Sequence, residues 1–203
     1  MQFFAKKDTG LSYTRWDLWK RIRSNLSSSL TKSVQFIIAI CENNLVKELP
    51  HIPLVKEKNK YVEIGRKLME MHLNYENVPV YNKIDIRYSG KVDYQVKKMK
   101  FPKKINDEGK KVDDKSAIIF NNSITISNIP EKAYEYVVNG KSAIEWIMDQ
   151  YQVKTDKKSG ITDDPNDYSD DPKYIFNLLL RIINVSVQTV DLINQLPKLE
   201  IEE

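Results

Sequence analysis

Cysteine and histidine are almost missing from this chain, for Cys41, His51 and His72 are the full set in 203 residues. A single cysteine excludes an internal disulfide framework and any zinc site built from cysteine pairs. Two histidines in unrelated contexts leave few parts for a metal hydrolase or a Ser-His-Asp triad. His51 reads as a connector residue, His72 as the flank of a helix and Cys41, inside an apolar run, as a small buried hydrophobe. Long apolar runs are lacking too. The longest spans residues 36–41, six residues, against the roughly 20 that a membrane helix needs. No membrane span is expected, and the opening residues carry no secretory leader pattern, which predicts a cytoplasmic protein. Internal repeats are absent. Any enzymatic chemistry would fall to carboxylates and lysines, and neither a cofactor nor a metal ion is expected.

What the chain does have is charge, unevenly placed. Its 32 Lys and Arg against 28 Asp and Glu give a formal +4. Residues 83–111 hold ten basic side chains and four acidic ones, a local +6, while residues 155–172 hold six aspartates and two lysines, a local −4. Such a division can present a cationic face to a polyanion, and two solvated loops would show the same composition.

Periodicity organises the rest. Trp16, Leu18, Trp19, Ile22 and Leu26 are helically spaced, and the prolines at 50 and 53 enforce an extended connector. Tyr61, Ile64, Leu68 and Met71 form an amphipathic stripe that predicts a helix over 61–73. The period then shifts to two. Ile84, Ile86 and Tyr88, a Ser89-Gly90 turn, and Val92, Tyr94 and Val96 predict a β-hairpin. A polar loop around 105–109 follows, then two short strands at 117–120 and 124–127 about Asn121-Asn122. Pro130 starts a short helix that Asn139-Gly140 should end, Ser142 and Glu145 form a capping box, and Asp171-Pro172 open a long helix that Pro197 stops. The expected fold is α/β of the α+β type: a small, mostly antiparallel sheet flanked by helices, with a long C-terminal helix.

Motifs for catalysis are weak. Gly140-Lys141-Ser142 imitates the end of a phosphate-binding loop, but Glu135 stands where that loop needs its first glycine. A turn with a capping serine explains all three residues. Asp156-Lys157-Lys158 has the spacing of a nuclease motif, yet it lies in a Gly- and Asp-rich loop. The aspartates of 163–167 lack the alternating pattern of a calcium loop and read as turn residues. Binding remains. Tyr81, Tyr88, Tyr94 and Phe101 are interleaved with lysines, an arrangement suited to nucleic acid.

Several blocks resemble one family. They are Leu45-Val-Lys-Glu-Leu-Pro-His-Ile-Pro-Leu54; Gly65-Arg-Lys-Leu-Met-Glu-Met-His-Leu-Asn-Tyr-Glu76; and Ile129-Pro-Glu-Lys-Ala-Tyr-Glu-Tyr-Val-Val-Asn-Gly-Lys-Ser-Ala-Ile-Glu-Trp-Ile-Met-Asp-Gln-Tyr-Gln152. Lys154-Thr-Asp-Lys-Lys-Ser-Gly160, Asp164-Pro-Asn-Asp-Tyr168 and Asn184-Val-Ser-Val-Gln-Thr-Val190 follow in order. Together they resemble the C-terminal specificity domain of Type ISP restriction-modification enzymes, over about residues 45–197. Members join a nuclease, a helicase-like motor, an adenine methyltransferase and a target recognition domain in one chain. The resemblance implies that residues 45–203 are the last of these, with residues 1–44, a helical segment rich in serine and tryptophan, outside it. No P-loop is present, and Asp164-Pro165-Asn166 lacks the second proline and the aromatic of an adenine methyltransferase motif.

The expected function is therefore non-catalytic recognition of double-stranded DNA beside the methyltransferase and the helicase and nuclease regions of a parent enzyme. Lys97, Lys98, Lys100, Lys103 and Lys104 are the candidate phosphate contacts, and Asn121 and Asn122 the candidates for base readout, since asparagine can bond adenine at two places. A turn between strands is the competing role for both asparagines. The rival function is a module that docks the methyltransferase and motor through an exposed face of the long helix at Ile183, Val187 and Leu192.

Overall fold

A computed structural model describes residues 55–198 and 200. The helix expected near the N-terminus, Cys41, His51 and the proline connector lie outside the described residues. All elements below belong to one unit, Pro53–Glu203.

Helix α1, Lys58–Leu73, forms where the stripe predicts it, and buries Ile64, Leu68 and His72 at successive spacings of four. A 3-10 turn, Tyr75–Asn77, leads into strand β1, Asp85–Tyr88. The segment 92–96 does not pair with β1 as a hairpin. Instead β1 lies antiparallel to β5, Ile124–Ser127, with Asp85 opposite Ser127 and Tyr88 opposite Ile124. On the other side β5 pairs with β4, Ile118–Ile119, so the two strands about Asn121-Asn122 form as expected. Alternation alone could not choose between these partners. The choice falls to β5 because Ile124 and Ile126, both within 1% of complete burial, bring to β1 an apolar face that continues into the core.

Two strands arise where the sequence shows only a polar loop: β2, Lys103–Ile105, and β3, Lys111–Asp113, paired antiparallel around a turn that Asn106 closes by accepting from the Lys110 N–H at 2.8 Å. Neither buries an apolar face, so no alternation announces them. After the 3-10 turn Glu131–Tyr134, β6, Val137–Val138, pairs with β7, Lys141–Ser142. Asn139-Gly140 therefore joins two strands and does not end a helix. Their φ values of 50° and 78° are the pair of positive angles that a type I′ hairpin turn requires.

Helix α2, Ala143–Gln150, begins at the predicted capping box, in which the Glu145 N–H donates to Ser142 Oγ and the Ser142 N–H to Glu145 Oε2. Strands β8, Lys154–Thr155, and β9, Thr162–Asp163, make a last small hairpin before the turn Pro165–Tyr168 and helix α3, Tyr174–Asn194. Asp171 accepts from the Lys173 N–H, so α3 starts two residues beyond the predicted proline.

Helix α3 is the centre of the unit. At 21 residues it is long and apolar enough to cross a membrane by length and composition. Its apolar residues are nevertheless spread around the helix because other elements surround it: α1, α2 and the turns before β1 and β6 all pack on it. Phe176 meets Phe120 edge to face at 5.4 Å and Tyr94 at 5.3 Å. Ile183 is completely buried and Val187 packs against the core, so the exposed docking face expected of this helix is not present at those positions.

Candidate nucleic-acid interface

The basic segment is held rigidly although it is hardly regular. Val96 and Met99 are buried, at 0% and 3%, and anchor it to the core. The Val96 N–H donates to Asn166 Oδ1 and its carbonyl accepts from Asn166 Nδ2, both at 2.9 Å. One side-chain amide thus replaces the strand that the sequence suggested. The Lys97 carbonyl accepts from the Val153 N–H at 2.9 Å, and Lys100 and Ile119 exchange both backbone bonds at 3.1 and 2.8 Å. Fixing the backbone at three points leaves Lys97, Lys98 and Lys100 projecting outward.

Between this segment and α2 runs an open groove of ≈ 550 Å³. Lys98, Lys100 and Lys103 form one rim, Lys141, Glu145, Asp149 and Gln152 line the other side, and Met99, Phe101, Ile119 and Met148 contribute apolar surface. Among the described residues Lys97, Lys98 and Lys100 enter no ion pair. Lys103 pairs with Asp113 at 2.7 Å, both largely exposed. Lys104, next on β2, does not line the groove and pairs with Asp114 at 3.3 Å. Hydrogen bonds from Ser116, aided by Lys104, hold the Asp114 carboxyl below the usual range. Of the five candidate lysines the fold thus gathers Lys98, Lys100 and Lys103 on one groove, and leaves Lys97 exposed outside its lining.

The two asparagines part company. Asn121 Nδ2 donates to the carbonyls of Asp93 at 2.7 Å and Gln95 at 2.9 Å, while Oδ1 accepts from the N–H groups of Ser123 at 2.9 Å and Ile124 at 2.8 Å. Its amide is committed to the β4–β5 turn and to the segment beside it. Asn122, at the tip, is exposed.

The remaining motifs settle into turns. Asp156 accepts from the N–H groups of Lys158 and Ser159 and from the Ser159 hydroxyl, closing the β8–β9 hairpin. Asp164 caps the turn Pro165–Tyr168 by accepting from the Asn166 N–H, and Asp163 accepts from the Tyr168 hydroxyl. No cluster of three metal-ligating side chains occurs among the described residues. His72 is 4% exposed between α1 and α3, with Nδ1 donating to the Leu68 carbonyl at 2.6 Å and Nε2 facing the Thr189 hydroxyl at 3.2 Å. Burial lowers its pKa. Tyr136 is buried and Tyr134 and Trp146 are half-buried, and the Trp146 indole donates to the Val138 carbonyl at 2.6 Å.

Lys141, Asp149 and Gln152 were not singled out by the sequence as binding residues. In the sequence Lys141 belongs to an incomplete phosphate-loop match and to the family block of residues 129–152. Its ammonium pairs with Asp149, which raises its pKa, and lies 5.5 Å from the centre of the Trp146 ring. The spacing of 145 and 149 along one face of α2 was the available signal, though nothing in it says that lysines lie opposite.

Comparison with known proteins gives this groove its setting. No curated protein matches the chain. A nuclease-deletion mutant of the Type ISP restriction-modification enzyme LlaGI, solved with a DNA substrate mimic, is 56% identical with a TM-score of 0.67, over 84% of this chain and 16% of that one. The ATP-dependent Type ISP enzyme LlaBIII bound to DNA is 48% identical with a TM-score of 0.68, over 98% of this chain and 13% of that one. The DrdV-DNA complex shares the fold alone, at 23% identity and a TM-score of 0.60, over 92% of this chain and 18% of that one. The chain therefore spans about one sixth or less of the length of the enzymes it matches. The family described as the Type ISP C-terminal specificity domain matches residues 41–178, well over half of the sequence, and the chain belongs to that family.

Proposed function

We propose that this chain binds double-stranded DNA and serves target recognition in a Type ISP restriction-modification enzyme, acting in the cytoplasm beside the methyltransferase, helicase and nuclease regions of such an enzyme. The specificity domain is itself non-catalytic. The observation that carries the proposal is the 56% identity to an enzyme solved with a DNA substrate mimic, over 84% of this chain. The groove supplies a mechanism. Lysines at phosphates release condensed counterions and fix position along the duplex, and hydrogen-bonding side chains at base edges would supply sequence preference. We assign phosphate contact to Lys98, Lys100 and Lys103, with Lys97 and Lys104 flanking, and base contact to Asn122 in preference to Asn121, whose amide is already filled. Residues 45–203 form the recognition domain in this reading, and residues 1–44 a separate segment.

The test is titration of the purified chain with random-sequence duplex DNA across a salt series, alongside selection of enriched sites from a duplex pool. Binding should weaken steeply with salt, and replacing Lys98, Lys100 and Lys103 by alanine should reduce the log–log slope by about 2.7, at roughly 0.9 per phosphate contact. An unchanged slope in that variant would remove these lysines from the interface.

A further inference from the structure

The two sides of the groove differ in charge. One rim carries Lys98, Lys100 and Lys103, of which only Lys103 has an acidic partner among the described residues. The α2 side carries Glu145 and Asp149 beside the single Lys141. Glu145 is occupied, since it accepts from Ser142 in the capping box and from Lys115 at 2.9 Å. Asp149 uses one carboxylate oxygen, Oδ2, for Lys141, and its Oδ1 accepts no hydrogen bond among the described residues. Gln152, just beyond the end of α2, is held through Nε2, which donates to the Asp149 backbone carbonyl at 2.9 Å, and its Oε1 likewise has no donor among the described residues. Two free acceptor oxygens, on half-buried side chains three residues apart, thus share the groove with the unpaired ammonium groups of Lys98 and Lys100.

We propose that Asp149 and Gln152 read base edges: with the phosphates of one DNA strand on the lysine rim, they accept from the exocyclic amino groups of cytosine or adenine in the major groove. The inference rests on the DNA-binding reading above and adds sequence readout by residues that reading does not use. Charge decides the orientation. A carboxylate repels phosphate, so the backbone is driven to the lysine rim and the α2 side is left to the bases. The chemistry fits that placement, because a carboxylate accepts from cytosine N4 and a glutamine amide accepts from adenine N6 while donating to N7. Gln152 keeps one Nε2 hydrogen for that second bond after donating to the Asp149 carbonyl. Guanine and thymine turn only acceptor oxygens to the same place, which the two free acceptors would disfavour. The bond to the Asp149 carbonyl fixes the amide before DNA arrives, which lowers the cost of ordering it on binding. At ≈ 550 Å³ the groove is of the size that takes a small ligand, and so admits the edge of one strand and not a whole duplex.

The experiment selects enriched sites from a randomised duplex pool with the full chain, unmodified and as Q152A and D149N, and measures affinity across a salt series. A circular dichroism melt verifies the fold of each variant. Q152A changes no charge, so it should keep the salt slope of the unmodified chain and lose its preference for an amino-bearing base at one position, where discrimination falls from about 5- to 150-fold, the range for one good pair, to near one. D149N should lose the preference at a neighbouring position, and is read by its enriched site alone because it also releases Lys141. An enriched site unchanged in either variant overturns the readout role of that residue and leaves the DNA-binding reading standing. D149N that binds every duplex more tightly with its site intact overturns it too, since Asp149 would then only repel phosphate. An unmodified chain that binds with salt dependence and enriches no site overturns the inference alone, and one that shows no salt-dependent binding overturns both.

Discussion

Asn166 lies 70 residues from Val96 in sequence, yet it gives both backbone groups of that residue a partner. Asn121 does similar service nearby, tying Asp93 and Gln95 to the β4–β5 turn across 28 and 26 residues. These two amides hold the start of the lysine-bearing segment, from Asp93 to Val96, where no strand pairs with it. Removing one leaves backbone groups at a part-buried site unsatisfied, at about 1–3 kcal/mol. Asn166→Ala and Asn121→Ala should each lower stability in urea denaturation by that amount. Asn121→Asp should also destabilise, because it loses the donor to the two carbonyls and places a charge against them. Asn122→Ala, exposed at the tip, should leave the denaturation midpoint within experimental scatter and lower DNA affinity if it touches a base. That contrast separates the two neighbours in a way their identical chemistry in the sequence could not.

Among the elements, α2 is bounded by the most local information and α3 by the least. Ser142 caps α2 through its own Oγ, so Ser142→Ala should cost about 1 kcal/mol. Gly140 holds φ at +78° in the turn just before, with open space where a Cβ would go. Gly140→Ala should therefore cost roughly 1–2 kcal/mol through backbone conformation alone, read as a lower thermal midpoint with unchanged near-UV dichroism. On α3, Leu179 is completely buried among elements drawn from both ends of the unit. Leu179→Ala should cost about 2–5 kcal/mol, the range for a core cavity that neighbours cannot refill. Equilibrium unfolding by fluorescence will place all three, and the order Leu179 above Gly140 and Ser142 is the expected outcome.

At the scale of the whole unit, His72 bonds back to Leu68 within the first helix and joins that helix to the last through Thr189. Tyr136 meets the ring edge-on at 5.5 Å, and burial pushes that tyrosine's own pKa up to about 12. Burial disfavours the charged imidazolium, so the folded pKa lies below the ordinary value and the unfolded chain binds the extra proton first. Stability is then level above the ordinary pKa of about 6.5 and falls as pH drops below it, by at most about 1.4 kcal/mol per pH unit from this group, until the folded pKa is reached. Urea denaturation at pH 7.5 and 5.5 should show that loss in the unmodified chain and a smaller one in His72→Gln. An equal loss in both would assign the acid sensitivity to carboxylates.

Local information sufficed for much of the architecture. The stripe of α1, the capping box of α2, the paired strands about Asn121-Asn122 and the aspartate turns all depend on residues within a few positions of one another, so periodicity and cap chemistry reveal them. The blocks that place the chain in its family are likewise contiguous. The partner of β1 was not legible in this way, since 92–96 and 124–127 both alternate and only the burial of Ile124 and Ile126 in the core selects the second. Strands β2 and β3 were hidden because they bury no apolar face, and the exposed lysines read as loop. The sequence by itself determined that a basic segment and its family blocks were present. Only the tertiary structure decided which lysines face a common groove, because Lys98, Lys100 and Lys103 meet Lys141 across it through backbone pairings of Lys97 with Val153 and Lys100 with Ile119, and no local pattern encodes a contact made between distant segments.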